Sequence, residues 1–201
     1  MQWNRKWRWL WFGLIAAMVA YNLVSLQRSK TLGRALEIAG LGRELEERGD
    51  LDAALQKYQE ALNLQPRFPY GLALLGKAYH KLGEDDKALA SYERALQASP
   101  RHFWVHYLIG QLYRDQGRYH EAIRKFNELA GMEDNWYSSN KVLGYVQYQA
   151  LAYGELGHCY AKIWDRQKAL EAYEQYLTLN PSAMDRKEVE QYVQQLRGGQ
   201  Q

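Results

Sequence analysis

Cysteine and proline are scarce in this chain of 201 residues, which contains one cysteine, Cys159, and four prolines. A single cysteine excludes an intrachain disulfide framework and any zinc or iron–sulfur site built from several cysteines. The composition is neither collagen-like nor of low complexity. The mean hydropathy is negative, which excludes a chain made of many membrane spans. These limits leave a folded domain with a sizeable core, alone or with an appendage.

Acidic residues are absent from residues 1–34, which carry six of the 26 bases. The rest of the chain holds all 23 acids and 20 bases, so a basic head precedes a slightly acidic body. The bases of the head surround an apolar segment. Because the body is acidic, we expect no nucleic-acid partner.

Residues 9–26 form that apolar segment, in which 18 consecutive residues carry no charge. As a helix they would span about 27 Å, just enough for the hydrocarbon core of a bilayer. The flanking bases are Arg5, Lys6, Arg8, Arg28 and Lys30, and the tryptophans near the first end are Trp3, Trp7, Trp9 and Trp11. Indole rings suit the headgroup region. The pattern predicts a retained, single-pass transmembrane helix.

Two other interpretations of residues 9–26 are a cleaved signal peptide and a buried core helix. Cleavage after Ala20 would place Met18 at the −3 position, and cleavage after Ala17 would place Ile15 there. Signal peptidase sites favour smaller residues, so the anchor is the preferred interpretation. The flanking charges are nearly balanced, with a slight preference for placing the body on the periplasmic or lumenal side.

The body is an internal repeat with a period of 34 residues. The first unit contains Leu41, Gly42, Leu45, Gly49, Ala54, Tyr58, Ala61 and Pro66. At the same offsets, the second contains Leu75, Gly76, Tyr79, Gly83, Ala88, Tyr92, Ala95 and Pro100. The third contains Ile109, Gly110, Tyr113, Gly117, Ala122, Phe126 and Leu129. A fourth, aligned on Pro181, contains Leu156, Gly157, Tyr160, Ala169, Tyr173 and Tyr176.

This pattern resembles the tetratricopeptide repeat (TPR) family, whose units each fold as a helix A, a turn and a helix B. The resemblance implies an all-α, right-handed TPR solenoid of about four repeats. In helix A of the first unit, Ile38, Leu41, Gly42 and Leu45 share one face, which predicts a core stripe. The glycine near the end of each of the first three helices A predicts a left-handed turn.

The fourth unit departs from the pattern. Asp134 stands where the third unit should have its proline, and 13 extra residues, 137–149, precede the fourth unit. Ser138 or Ser139 could cap a helix that runs on into Leu151, so we expect an extended helix A.

The end of the chain predicts further caps. Trp164 occupies the place of the turn glycine, and Asp165 can cap the helix that follows. Asp185 and Glu188 have the spacing of a capping box. Beyond them Val189, Tyr192, Val193 and Leu196 lie on one face of a predicted C-terminal capping helix.

The predicted order is therefore a basic, tryptophan-rich flank (1–8), a transmembrane helix (9–26) and a linker (27–34). The repeats follow as TPR 1 (35–68), TPR 2 (69–102), TPR 3 (103–136), the insertion (137–149) and TPR 4 (150–183). The capping helix (184–197) and a frayed tail (198–201) end the chain.

Catalytic and metal-binding patterns are weak. His102 and His106 have i, i+4 spacing, but no acid or cysteine accompanies them, so we expect a surface pair. Cys159 is best interpreted as a packed thiol. No glycine segment has phosphate-loop spacing. We predict no enzymatic activity, no metal site and no cofactor.

Binding is the remaining activity. In TPR proteins the second, fifth, ninth and twelfth positions of helix A line a groove that holds partner segments, and the resemblance carries this role over to the matching positions. The candidate groove residues are Arg43, Tyr70, Lys77, Trp104, Tyr107, Gln111, Arg114 and His158. The aromatic rings and the two cations near them, Lys77 and Arg114, suit a segment with aromatic or acidic side chains. Alternatively, Tyr70 and Trp104 pack between repeats.

The predicted function is a membrane-anchored TPR adaptor for protein–protein interaction, or an assembly factor for a membrane protein complex. Such architectures serve photosynthetic, cytochrome and pilus complexes, in a bacterial inner or thylakoid-type membrane. The expected partner is a protein segment or a subunit of such a complex. The alternative is a permanent structural subunit of a larger membrane complex. The Lys/Asn/Arg set of TPR domains that bind chaperone tails is missing, which excludes that partner.

Overall fold

The computed structural model describes residues 5–132 and 142–198, which form nine helices and no strand. The side chains of residues 5–10, 12 and 142–145 lie outside this description. The helices are α1 (Arg5–Glu47), α2 (Leu51–Leu64), α3 (Pro69–Lys81), α4 (Asp85–Ala98), α5 (Phe103–Asp115), α6 (Tyr119–Ala130), α7 (Val142–Lys162), α8 (Arg166–Leu179) and α9 (Arg186–Gly198).

The helices pack as successive hairpins. The last part of α1 packs on α2, α3 on α4, α5 on α6 and α7 on α8, and each helix A also contacts the next. Helices A are thus α1, α3, α5 and α7, and helices B are α2, α4, α6 and α8. One hairpin cannot bury its apolar face alone, so stacking builds a continuous core. The prediction of an all-α solenoid of four repeats is confirmed.

Each hairpin closes where an aromatic ring lies against a glycine. The rings of Tyr58, Tyr92, Phe126 and Tyr173 face Gly42, Gly76, Gly110 and Gly157. A Cβ atom on Gly76 would lie 2.5 Å from Cε1 of Tyr92, well inside van der Waals contact. The absence of a side chain on helix A therefore sets how closely helix B approaches.

The turns between helices A and B take the left-handed conformation that the sequence predicts. Gly49, Gly83 and Gly117 have φ angles of 86°, 76° and 72°. Trp164 occupies the same place in the fourth repeat with a φ of 64°. The predicted cap of α8 is also present, because Oδ1 of Asp165 accepts a hydrogen bond from the amide of Lys168 at 3.3 Å.

Helix α1 is continuous over 43 residues, so the predicted linker, residues 27–34, is helical. Apolar side chains along its first half are exposed, from Trp11 at 53% to Leu26 at 54%. Within the part of the chain that the structure describes, no helix combines the length and hydropathy needed to cross a membrane. The first residues of the predicted segment, Trp9, Leu10 and Phe12, have side chains outside that part.

One predicted core position is exposed. Leu75, Ile109 and Leu156 are buried, at 5%, 2% and 2% exposure, but the equivalent Leu41 is 49% exposed. Leu75 lines a cavity together with Leu62 and Pro66 of the preceding repeat, whereas no described repeat precedes the first. The prediction for Leu41 is therefore wrong, because the first repeat has the core-type residue at this position but no described neighbouring repeat to bury it.

Residues 142–149 of the insertion extend helix A of the fourth repeat, since they belong to α7. The extension packs on the third repeat, where Tyr148 stacks on Phe103 with ring centroids 6.4 Å apart. Asp134, Ser138 and Ser139 lie outside the described residues.

The predicted C-terminal helix is α9, which packs on α8. Val193 is its buried contact, at 5% exposure, while Tyr192 is 43% exposed. The carboxylate of Asp185 accepts a hydrogen bond from the hydroxyl of Tyr176 at 2.6 Å, so it ties the start of α9 to α8.

Candidate functional site

The first part of the candidate groove lies where α1, α3 and α5 meet. The rings of Tyr70 and Trp104 are 5.4 Å apart, centroid to centroid, and stand at 37°. Nη1 of Arg43 donates a hydrogen bond to the hydroxyl of Tyr70 at 3.2 Å. That bond raises the pKa of the Arg43 guanidinium. The structure therefore brings together one predicted residue from each of the first three repeats.

Trp104 occupies an intermediate position. Its ring is half-buried and packs with Tyr70 against the core of the first three repeats. The structure thus shows both rings packing between repeats, and groove contact by the part of each ring that remains exposed stays a prediction.

Lys77 forms an ion pair at one side of this surface. Its Nζ lies 3.0 Å from Oε1 of Glu46, and Nζ of Lys81 lies 2.6 Å from the same oxygen. The other oxygen of Glu46 accepts a hydrogen bond from Tyr58 at 2.8 Å. Burial raises the pKa of Glu46, but Lys81, Lys77 and Tyr58 outweigh burial and lower it. The buried carboxylate is therefore ionised, and Lys77 and Lys81 share its single negative charge.

The second part of the groove surrounds Glu155 on α7. Oε1 of Glu155 accepts hydrogen bonds from the hydroxyl of Tyr107 at 3.0 Å and from Nε2 of Gln111 at 3.4 Å. Its Oε2 pairs with Nη1 of Arg114 at 2.5 Å. Burial lowers the pKa of Arg114, but Glu155 outweighs it, so the net pKa is raised. Three predicted residues of the third repeat thus converge on one carboxylate of the fourth.

His158 lies beside this cluster. It is exposed and lines a cavity of about 390 Å³ together with Tyr107, Arg114 and Glu155. Tyr173, Tyr176 and Val189 close the cavity from α8 and the start of α9. Burial lowers the pKa of His158, and Lys162 and Arg114 lower it further. The side chain is therefore neutral near pH 7.

Sequence reasoning missed Glu155, although it joins three of the predicted residues. It lies one position away from Gly154, which is on the groove stripe, so the spacing of the stripe does not select it. The available signal was its isolation, since Glu155 is the only charged residue between residues 142 and 161. A single carboxylate in an uncharged helix needs a partner, and Arg114 supplies it.

His80 joins the two parts of the surface. It lies at the twelfth position of its helix A, on the predicted groove stripe, but it is not among the eight candidate groove residues. Its Nδ1 lies 2.7 Å from Oδ1 of Asp85, and its Nε2 lies 3.2 Å from Oδ2 of Asp115. Both ring nitrogens therefore face carboxylates of other helices. Burial lowers the pKa of His80, but the hydrogen bonds to Asp85 and Asp115 outweigh burial and raise it.

The histidine pair weighed as a metal site is not a surface pair. His106 is buried, at 7% exposure, and its Nε2 donates to the carbonyl oxygen of Pro100 at 2.9 Å. The expectation of a surface pair is wrong for this residue, because the start of α5 packs against the turn before it. Among the described residues, no three His, Cys, Asp or Glu side chains are grouped to hold a metal ion.

Cys159 is a packed thiol, as predicted. Its side chain is fully buried, and burial raises its pKa to about 12. A thiol with such a pKa stays protonated and unreactive near pH 7.

Solved structures with a similar fold include pilF of Pseudomonas aeruginosa and MamA of Desulfovibrio magneticus RS-1. The pilF structure is 21% identical over 84% of this chain and 74% of pilF, with a TM-score of 0.65. The MamA structure is 21% identical over 83% of this chain and 96% of its own, with a TM-score of 0.58. At this identity the likeness shows the fold alone. No curated protein matches the chain.

Family models described as TPR or tetratricopeptide repeats match most of the body. They cover residues 42–83, 76–117, 105–135 and 150–182, which together exceed half of the chain. The matched segments contain the glycine–aromatic pairs and the left-handed turns described above. The chain belongs to the tetratricopeptide repeat family.

Proposed function

We propose that this protein is a membrane-anchored TPR adaptor that binds a protein segment on its helix-A face during assembly of a membrane protein complex. The observation that carries the binding role is the convergence of the predicted residues. Side chains from all four repeats, Arg43 to His158, form two adjoining clusters around Tyr70 and Glu155. This role is binding and not catalysis, since the fixed groups form ion pairs and aromatic contacts.

The chemistry of the partner follows from the charges. Lys77 shares the carboxylate of Glu46 with Lys81, and Arg114 pairs with Glu155 and Asp115. An acidic partner would have to break these pairs, which would leave a buried carboxylate without its cation. Tyr70 and Trp104 instead offer uncharged rings that are partly exposed. We therefore favour a partner segment with apolar or aromatic side chains over the acidic one.

The anchor is supported by the side chains of α1. Large apolar residues between positions 11 and 26 are exposed and point in all directions around the helix: Trp11, Leu14, Ile15, Met18, Val19, Tyr21, Leu23, Val24 and Leu26. A core helix would bury at least one face of such a segment. A lipid environment around this half of α1 would remove these side chains from water. The membrane is of the bacterial inner or thylakoid type, with the repeats on the periplasmic or lumenal side.

The binding role is tested by purifying the full chain from its native membrane in mild detergent. We expect Tyr70→Ala with Trp104→Ala to lose the bound partner, because together they remove the exposed aromatic surface. Truncating an interface aromatic typically costs about 2 kcal/mol of binding, or roughly thirtyfold in affinity. Tyr192→Ala, on α9, is the matched control and should retain the partner. Equal retention by the groove and control variants would contradict the proposed surface.

Stoichiometry separates an assembly factor from a permanent subunit. Substoichiometric capture of immature complexes is expected here, whereas a one-to-one partner that survives purification would support the structural subunit.

The anchor is tested by flotation with membranes. Ile15→Arg with Val19→Arg places two charges in the apolar segment, at a cost of several kcal/mol for a spanning helix. We expect this variant to leave the membrane fraction, while Arg48→Ala, in the repeats, remains there. If the unmodified chain does not float with membranes, the anchor is refuted.

A further inference from the structure

The continuity of α1 fixes how the first repeat stands relative to residues 11–26. Helix α2 runs back along α1, with Tyr58 opposite Gly42. Because the two helices are antiparallel, Leu64, six residues after Tyr58, lies level with Leu36, six residues before Gly42. The turn 65–68 therefore lies at about the height of Arg34 along α1. Eight residues separate Arg34 from Leu26, where the uncharged segment ends, which is about 12 Å along the helix.

The side chains at this end of the first repeat are basic. Arg28, Lys30 and Arg34 lie on α1, and Arg67 lies in the turn that joins α2 to α3. All four are exposed, and none forms an ion pair with a described residue. No acid precedes Glu37 in the chain, and none lies between residues 61 and 83. We call these four side chains the basic edge.

The opposite end of the first two hairpins differs in charge. There Lys77 and Lys81 pair with Glu46, and Lys87 pairs with Glu84. Two carboxylates therefore offset most of the charge of three lysines at that end. The unneutralised positive charge is concentrated at the end nearest to residues 11–26.

We infer that the basic edge rests on the anionic headgroup surface of the membrane that holds α1. This inference rests on the proposed anchor. The headgroup region extends about 5–8 Å beyond the hydrocarbon core, so the edge lies within about one Debye length of the headgroup charges. Exposed Leu32 and Leu64, at 38% and 37%, add apolar surface beside the bases. Such a mixture of bases and apolar side chains suits the headgroup boundary.

The height of the first repeat is measured on the full chain in vesicles that contain a nitroxide-headgroup lipid. A fluorophore is attached to Asn63→Cys or, as the matched control, to Gln56→Cys. Both positions are exposed on the same face of α2, and the control stands two turns, about 10 Å, farther from the basic edge. Cys159 is buried and does not compete for the label. We expect strong quenching at position 63 and weak quenching at position 56.

The electrostatic contact is measured with Arg67→Glu and its control Arg48→Glu, both in the background of the label at position 63. We call a chain docked when its first repeat lies close enough to the headgroups for the label at position 63 to be quenched. In anionic vesicles Arg67→Glu should reduce the docked fraction roughly fivefold or more, as expected when a base near an anionic surface is replaced. Arg48→Glu should leave it unchanged. In zwitterionic vesicles the quenching at position 63 should fall to the level of Arg67→Glu.

The outcomes separate this inference from the anchor. Equal, weak quenching at both positions in chains that float with the vesicles overturns the inference and leaves the anchor intact. Strong quenching at position 63 that is the same in anionic and zwitterionic vesicles, and is unchanged by Arg67→Glu, overturns the inference that the contact is electrostatic. Chains that do not float overturn the anchor and the inference together.

Discussion

Equivalent tyrosines in the first two repeats face different partners. The hydroxyl of Tyr58 donates to Glu46, whereas the buried hydroxyl of Tyr92 has no hydrogen-bond partner among the described residues. The reason is the twelfth position of helix A, which is Glu46 in the first repeat and His80 in the second. His80 turns toward Asp85 and Asp115 instead. The difference between Glu46 and His80 at this one repeat position therefore decides whether the tyrosine hydroxyl has a hydrogen-bond partner.

Removing these two hydroxyls should have opposite effects. We expect Tyr58→Phe to lower the free energy of unfolding by about 1–3 kcal/mol, because Glu46 loses a buried donor. Tyr92→Phe should raise it by about 1 kcal/mol, because a hydroxyl that is buried without a partner disappears. Chemical denaturation of both variants in detergent measures the difference. Equal losses in the two variants would contradict this account.

The glycine opposite each aromatic ring gives a second comparison. Gly76→Ala places a Cβ against the ring of Tyr92 and the carbonyl of Ala88. We expect it to lower the free energy of unfolding by about 1–3 kcal/mol. An added Cβ atom on Gly40 would meet no atom within 4 Å outside its own helix backbone, so Gly40→Ala should raise stability by up to about 1 kcal/mol through helix propensity alone. Thermal melts that rank the two variants in the reverse order would refute the close-packing argument.

At the scale of elements, the turn between α7 and α8 is strained. Trp164 has a φ of 64° and is 91% exposed, so it gains little packing in return for an unfavourable backbone conformation. We expect Trp164→Gly to raise the free energy of unfolding by about 1 kcal/mol. The reverse change at an equivalent turn, Gly117→Ala, should lower it by a similar amount. The φ of Gly117 is 72°, and an added Cβ atom would meet no atom within 4 Å, so the loss comes from the backbone conformation alone. Denaturation curves measure both, and a loss of stability in Trp164→Gly would show that the ring makes a stabilising contact.

Sequence periodicity predicted the helices, their turns and the fourfold repeat, because glycine, aromatic and alanine positions recur at a fixed spacing. It also selected groove residues that do converge in space, such as Tyr70 with Trp104. It did not predict Glu155, because the other units have Gly40, Leu74 and Leu108 at the same repeat position. The exposure of Leu41 was missed for a related reason, since a periodic pattern does not state where the stack ends. Ion pairs between repeats depend on side chains that break the repeat, and these were invisible to the pattern.

At the scale of the whole molecule, charged side chains connect neighbouring repeats. Glu46 pairs with α3, His80 of α3 with Asp115 of α5, and Arg114 of α5 with Glu155 of α7. His80 is the link in this series that titrates near neutral pH. The stiffness of the stack between its second and third repeats should therefore depend on pH.

The sign of that dependence follows from the raised pKa of His80, whose ordinary value is 6.5. The stabilisation is complete below that ordinary value and is lost as the pH rises through the raised pKa. We expect His80→Gln to remove this component of the pH profile of the melting temperature, measured between about pH 6 and about pH 8.5. The pKa values of His102 and His158 are lowered by burial and act in the opposite direction, but equally in both proteins. Parallel profiles for the two proteins would contradict this role of His80.

The unbroken α1 has a consequence for how the chain tolerates changes in length. Each residue inserted or deleted in 27–34 would turn the repeats by about 100° about the helix axis and shift them by about 1.5 Å. A single insertion would therefore point the helix-A face in a new direction, whereas an insertion of seven residues would nearly restore the azimuth. If the direction matters to a partner held in the same membrane, related chains should differ in this segment by whole pairs of turns. The segment then acts as an angular spacer, with its phase encoded in residue count rather than residue identity.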